Sequence, residues 1–270
     1  MSIKLGVIAI PMILLLVIIA PAAAITNGGP DGEDHPHVGL AVFYDADGNP
    51  MWRCSGTLLS ETLFLTAGHC TEEPAASAAI WFEEDVDAGI PGNGYPFGGG
   101  TSVVGTPYTH PDYNPTAFYL YDLGVVVLDE PVVMDEYGAL PEEGLLDPLA
   151  KKRGRQDVSI TAVGYGLQKI NPVFVVGNRE RLQATLMLVD LIGTAGVPAG
   201  TSVMLSANVH TGGTCFGDSG GPLFLNDTNI VAAVTSFGLN GNCRGVGAGY
   251  RVDTADDLDW LYDEFGDHLP

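Results

Sequence analysis

Hydrophobic residues along this chain come in short packets. Val38-Gly39-Leu40-Ala41-Val42-Phe43, Leu63-Phe64-Leu65, Leu123 to Leu128, Val158 to Val163, Ala184 to Val189 and Ile230 to Thr235 are each about one strand long. They are rich in β-branched residues and separated by polar turn signals, a pattern that predicts an all-β sandwich or a pair of barrels. No fixed-period repeat is present. One segment departs from this, near the C-terminus: Leu258, Leu261, Tyr262 and Phe265 recur at i, i+3, i+4 and i+7. That spacing predicts an amphipathic helix over about 254–265 that docks an apolar stripe on the body. Thr254-Ala255-Asp256-Asp257 reads as its capping box, with an acid where the motif has Glu or Gln.

The first 24 residues follow another pattern. Lys4 supplies a positive start, Leu5 to Ala20 an apolar run, and Ala22-Ala23-Ala24 a small-residue cleavage site, together a secretory signal peptide. The competing reading is an uncleaved membrane anchor, since the run is just long enough to span a bilayer. Pro11 interrupts it and no basic stop-transfer cluster follows, so no stable membrane insertion is expected once the signal is removed. Either way the remainder is exported, and a secreted protein is expected.

Charge narrows the partners. The chain has 33 Asp and Glu against 11 Lys and Arg, a formal charge of −22. Such a surface repels nucleic acid and anionic membranes. It fits either life in high salt, where screening relieves self-repulsion, or an acidic secreted protein in ordinary medium. Equilibrium unfolding at several salt concentrations separates these: stability that rises with salt is the outcome for a salt-adapted chain. The 36 Gly and 18 Pro make a turn-rich chain. Pro91 to Gly100 reads as a surface excursion, and Pro141 to Gln156, with Lys151, Lys152, Arg153 and Arg155, as a solvated linker between two β units.

Three stretches carry chemistry. In Thr214-Cys215-Phe216-Gly217-Asp218-Ser219-Gly220-Gly221-Pro222, glycines around Ser219 let the backbone turn tightly and aim N–H groups at one point. That suits stabilisation of a charge developing on a carbonyl oxygen. Leu65-Thr66-Ala67-Gly68-His69-Cys70 places a histidine just after a strand, and Tyr121-Asp122-Leu123-Gly124 an acid at the mouth of one. Serine, histidine and aspartate are the residue types of nucleophilic acyl transfer. Taken singly, each has a structural explanation: a turn, a satisfied histidine, a cap. Gly217 to Gly221 also satisfies G-x-S-x-G, but an α/β-hydrolase needs a helix after the serine and the histidine downstream. Here Pro222 and another short apolar run follow, and only His268, three residues from the end, lies far enough downstream. A zinc site is the rival use of four cysteines, and no C-x-x-C pair exists.

With His69, Asp122 and Ser219 in that order, the chain resembles the trypsin/chymotrypsin family of serine peptidases. The resemblance also rests on His35-Pro36-His37-Val38-Gly39-Leu40, on His110-Pro111-Asp112-Tyr113-Asn114-Pro115, and on Val163-Gly164-Tyr165-Gly166, where Tyr stands for the family's Trp. It implies two six-stranded antiparallel β-barrels packed face to face, over about 25–140 and 157–252, with the linker 141–156 and the C-terminal helix. It implies His69 as general base, Asp122 as its orienting partner, Ser219 as nucleophile, and the N–H groups of Gly217 and Ser219 as oxyanion hole. Disulfides Cys54–Cys70 and Cys215–Cys243 are likewise implied. Ser236-Phe237-Gly238 matches the segment that pairs with substrate backbone, with Phe237 for the usual Trp. Gly213 is expected at the base of the specificity pocket, and Thr214, Gly238 and Ala248 on its walls. None is acidic, so a large apolar or aromatic residue before the scissile bond is expected. Protein or peptide substrates, a monomer, and no cofactor or metal complete the expectation. A catalytically dead homologue used for binding is the alternative.

The family's new N-terminal Ile or Val folds inward onto the aspartate before the catalytic serine. Here the pair is Ile25 and Asp218, with Ile25-Thr26-Asn27-Gly28 in place of the common I-V-G-G. No basic activation site precedes Ile25, so signal cleavage after Ala24 is expected to create the activating terminus. Glu83, Glu84, Asp85 and Asp87 lie where some relatives hold calcium; in so acidic a chain they read as solvated surface. Asn226-Asp227-Thr228 is a glycosylation sequon.

Overall fold

The computed structural model describes residues 24–149, 158–171, 174–191 and 197–270. The signal segment and the basic part of the linker lie outside the described residues. Six strands close the first barrel, in the order Val38–Tyr44, Pro50–Leu58, Leu63–Thr66, Gly124–Leu128, Val103–Thr109, Ser77–Trp81 and back to the first. The second runs Leu182–Asp190, Ser202–Ala207, Gly245–Arg251, Val231–Gly238, Pro222–Leu225 and Ser159–Gly164, closed where Leu182–Met187 pairs with Ser159–Gly164. Closure removes every free edge from two otherwise exposed antiparallel sheets. Along Leu182–Asp190 the side chains alternate as a strand requires: Leu182, Ala184, Leu186 and Leu188 point inward, Thr185, Met187 and Val189 outward. Val38–Tyr44 is buried at every position, one face inside its barrel and the other covered.

A buried polar network joins the barrels. Arg181, 1% exposed, donates to the Asp31 carboxylate (Nε–Oδ2, 2.9 Å) and to the carbonyls of Gly32 (2.7 Å) and Phe82 (2.9 Å). Tyr165 donates to the carbonyl of Glu83 at 2.8 Å. Nearby His37 is 1% exposed with no partner for either ring nitrogen. Burial, with the positive charges of His35 and Arg181, pushes its pKa down to about 4, against the pull of Asp31 and Glu136. The unfolded chain therefore binds more protons at this position, and stability falls as pH drops from about 6.5 toward 4. His37→Phe should raise stability near pH 5 by up to about 2 kcal/mol relative to its effect at pH 8. Equal effects at both pH values, in denaturant titrations, would remove the buried neutral histidine from the account.

Two expectations about the C-terminal helix need correction. The helix runs Ala255–Phe265, with Leu258, Leu261 and Phe265 buried but Tyr262 more than half exposed; Trp260 packs against the core instead. The Thr254 hydroxyl does not accept from the helix backbone. It donates to the carboxylates of Asp256 and Asp257, and Asp257 takes a second hydroxyl from Tyr250 at 2.9 Å. The excursion at 91–100 lies at the surface, anchored by its one buried residue, Asn93, whose carbonyl accepts from Trp81 Nε1 at 2.8 Å. The four acids proposed as solvated surface are largely occupied: Thr101 donates to Glu83, Asp85 caps Val86–Gly89, and Asp87 holds Arg179 at 2.7 Å. They do not converge on one point.

Candidate active site

His69 sits in the short helical turn Gly68–Thr71, directly after the strand Leu63–Thr66. A Cβ at Gly68 would lie 3.1 Å from the backbone of Leu123, so glycine lets this turn close on the residue after Asp122. The Cys54–Cys70 disulfide and a 2.9 Å hydrogen bond from Trp52 Nε1 to the Cys70 carbonyl pin its far side. Asp122, fully buried, accepts from His69 Nδ1 on both oxygens (3.0 and 2.9 Å) and from the His69 backbone N–H (2.8 Å). Its second oxygen also takes the Ser236 hydroxyl. The carboxylate thereby holds the histidine proton on Nδ1 and leaves Nε2 free to accept. Burial opposes a charged imidazolium, but the attraction and hydrogen bond of Asp122 together leave His69 raised above its ordinary pKa.

The turn at Ser219 is built from both barrels. Ser55 of the first donates its N–H to the Ser219 carbonyl (2.8 Å) and its hydroxyl to the Gly217 carbonyl (2.9 Å). The Cys215–Cys243 disulfide ties the turn to the loop before Gly245–Arg251. Gly217 adopts φ +97°, which only glycine takes without strain. The N–H of Asp218 is bonded to the Cys215 carbonyl at 3.0 Å, while those of Gly217 and Ser219, on either side, donate to nothing among the described residues. Ser219 Oγ has no hydrogen-bond partner there either. It shares with His69 a cavity of about 590 Å³.

That cavity is lined by Thr214, Ser236, Phe237 and Gly238 as expected, and by no Asp, Glu, Lys or Arg. Gly213 is not among its lining residues: it is buried and paired through both backbone groups with Thr26, at 2.9 and 3.0 Å. Ala207 lines the cavity, and a Cβ on Gly213 would strike it at 2.5 Å. On the facing strand Val246 and Gly247 line the cavity, and Ala248 does not. A one-residue slip in a strand reverses the side, and the paired register Gly238↔Gly247 fixes which is correct. Ser55, Ala207, Val246 and Gly247 are the residues that sequence reasoning missed. For Ser55 the signal was its place next to Cys54; the others depend on register.

Asp218 is 1% exposed, and its oxygens accept from the N–H groups of Gly166 and Cys215, both at 2.8 Å. Burial pushes its pKa up to about 7, against those two bonds and the positive charge of Arg53. In this uncut chain the nitrogen of Ile25 is a peptide nitrogen, so no Ile25–Asp218 ion pair is formed. The Ile25 side chain is fully buried in the second-barrel cluster with Leu146, Ile160 and Ala184. Its φ of 48° is an outlier for a β-branched residue. His268, the one histidine available to the esterase reading, bonds Thr62 instead, and the segment after Ser219 is the strand Pro222–Leu225. The only His/Cys/Asp/Glu group close enough to hold a metal among the described residues is Cys54, His69 and Cys70, whose sulfurs are joined to each other.

Comparison with known proteins decides the family. The family model described as Trypsin matches residues 27–261. The chain belongs to the trypsin family of serine peptidases. It is 27% identical over 226 residues to a trypsin of Saccharopolyspora erythraea, covering 78% of this chain and 86% of that one. It is 27% identical over 247 residues to brachyurin of Leptuca pugilator, covering 86% and 93%. A chymotrypsin-like elastase family member 1 of Macaca fascicularis is 26% identical, with 82% of each chain covered. Among solved structures, that of HL collagenase superposes with a TM-score of 0.70 at 20% identity, over 90% of this chain and 99% of the other. Membership brings peptide substrates at the level of the family. Among the described residues no helix is long and apolar enough to cross a membrane.

Proposed function

We propose that this trypsin-family protein is a secreted serine endopeptidase that cleaves peptide bonds through an acyl-enzyme on Ser219. The observation that carries the reading is the His69 ring held by both oxygens of Asp122 across a shared cavity from an unengaged Ser219 hydroxyl. Ser219 Oγ attacks the scissile carbonyl carbon as its proton passes to His69 Nε2. The negative charge then developing on the carbonyl oxygen meets the two free N–H groups of Gly217 and Ser219. The C–N bond breaks as Nε2 returns the proton to the leaving amine. Water repeats the sequence and frees Ser219. The Asp122 carboxylate stabilises the imidazolium at each stage.

Uncharged walls support a preference for large apolar or aromatic residues before the scissile bond. A substrate guanidinium there would be desolvated without a counter-charge, which costs several kcal/mol. In a peptide panel differing only at that residue, Phe, Tyr or Leu should exceed Arg in kcat/KM by about 10²-fold or more; comparable cleavage after Arg would overturn the assignment.

Export is supported by the pattern of residues 1–24, and activation by the same cut is supported by three local facts. Ile25 is already buried, the Asp218 carboxylate is held only by the N–H groups of Gly166 and Cys215 among the described residues, and Thr26 is laced to Gly213 beside the cavity. Cutting between Ala24 and Ile25 also abolishes the strained φ of Ile25, a release on the order of 1–2 kcal/mol.

A further inference from the structure

The chain is poor in cations, and three of the six described are committed to acids. Arg179 pairs with Asp87, Arg181 with Asp31, and Arg251 with Asp147 and Asp253. Arg53, Lys169 and Arg244 have no acid within ion-pair distance among the described residues. Of these, Arg53 lies beside Gly217 in the turn that carries Ser219. Lys169 and Arg244 line a second cavity that shares Ala207 and Cys243 with the substrate cavity. Arg53 stands closest to the chemistry.

Strand periodicity places it there. Residues 53 and 55 of Pro50–Leu58 project from the same face, and Ser55 is the residue whose hydroxyl holds the Gly217 carbonyl. Arg53 therefore points at the same turn. Its Nε lies 3.4 Å from where a Cβ on Gly217 would be, and its guanidinium end reaches to 3.7 Å from the equivalent point on Gly177. Gly177 follows Val176, which pairs with Lys169 across a short hairpin. Arg53 is half-buried, and no hydrogen bond to its guanidinium is present among the described residues. The Asp218 carboxylate feels its charge but is enclosed behind Gly166 and Cys215.

Arg53 is not among the residues of the substrate cavity, which together with the Ser236–Gly238 edge takes the acyl half of a substrate. It lies against Gly217 but outside that cavity, so a peptide whose acyl half fills the cavity would bring its leaving half toward Arg53. We propose that Arg53 is a specificity-determining residue that selects an acidic side chain on the leaving side of the scissile bond, at about the second residue after it. This rests on the peptidase reading above. A chain of charge −22 repels acidic peptides as a whole. The unpaired Arg53 beside Gly217 opposes that field locally, where it meets a substrate carboxylate.

The test uses three peptides identical except for Glu, Gln or Lys at the second position after the scissile bond. They are assayed for kcat/KM with the processed protein and with Arg53→Gln and Arg53→Lys. For a partly exposed ion pair the Glu peptide should exceed the Gln peptide by about three- to fivefold at low salt, with Lys slowest. High salt should shrink the ratio, Arg53→Gln should bring it to about one, and Arg53→Lys should keep part of it. A wild-type protein without preference for Glu overturns the proposal. So does a ratio that Arg53→Gln leaves unchanged, including the case where all three peptides slow equally, which would make Arg53 a support for Gly217 and Asp218. Failure to cleave any of the three overturns the peptidase reading itself, and this inference with it.

Discussion

A chain beginning at Ile25 should hydrolyse an amide substrate about 10²- to 10³-fold faster, in kcat/KM, than the same chain retaining Ala24. Asp218 is enclosed, its two hydrogen bonds are to neutral N–H groups, and burial pushes its pKa up to about 7. A buried charge left unpaired costs about 3–5 kcal/mol. A free ammonium on Ile25 removes that cost and stiffens the backbone from Asp218 to Gly217, where the carbonyl oxygen must be received. With Ala24 retained the nitrogen carries no charge, and the turn must hold an unpaired carboxylate or a proton. The same pair has a signature in stability. In the uncut chain the folded pKa of Asp218 lies above its unfolded value near 3.8, so its contribution is fully present below about pH 4 and is lost as pH rises through 7. The cut chain, with the ammonium in place, should not show that loss. The stability difference between the two chains should therefore widen from pH 4 to 7 and narrow again at alkaline pH as the ammonium titrates. Equal activities, or a constant difference, would leave Asp218 satisfied by Gly166 and Cys215 alone.

The second large effect is expected at Asp122. Its oxygens receive three donors from His69 and Ser236, and an asparagine cannot accept on both sides. An amide N–H facing Nδ1 would force the histidine proton onto Nε2, the wrong tautomer for removing a proton from Ser219. Asp122→Asn should lower kcat by about 10⁴-fold with little change in stability of the turn. The attraction that raises the pKa of His69 would also be gone. The acidic limb of the residual activity should therefore move to lower pH, since activity requires neutral His69. A variant that loses less than about tenfold, or whose acidic limb stays in place, would show that His69 does not act through this carboxylate.

The parts of this molecule that were legible in the sequence are those set by local chemistry. The short β-branched packets, Ala184 to Val189 among them, predict strands because branched side chains fit an extended backbone between turn signals. His69, Asp122 and Ser219 announce themselves through glycines and neighbours that the turns need. What was not legible depends on register and on distant contacts. Ala248 and Gly247 differ by one position, and only pairing with Val231–Gly238 decides which faces the cavity. Gly213, implied as the pocket floor by the resemblance, lies behind Ala207, which lines the cavity, and pairs its backbone with Thr26, 187 residues away. Tyr262 fell on the apolar stripe by spacing and ended exposed, because Trp260 docks against His110 and Phe265 instead. The hydroxyl of Thr254 had an attractive helix N-terminus to cap and went to two carboxylates. Nothing in its local sequence distinguishes those fates.

Whether Ser219 is a nucleophile activated by His69 can be read from a single labelling experiment. The processed protein is treated with an active-serine probe such as a fluorophosphonate, digested, and the adduct located by mass spectrometry. One adduct is expected, on Ser219, formed rapidly in the native protein and lost in His69→Ala and after unfolding. No adduct, or labelling of Ser219 that survives His69→Ala undiminished, would contradict it.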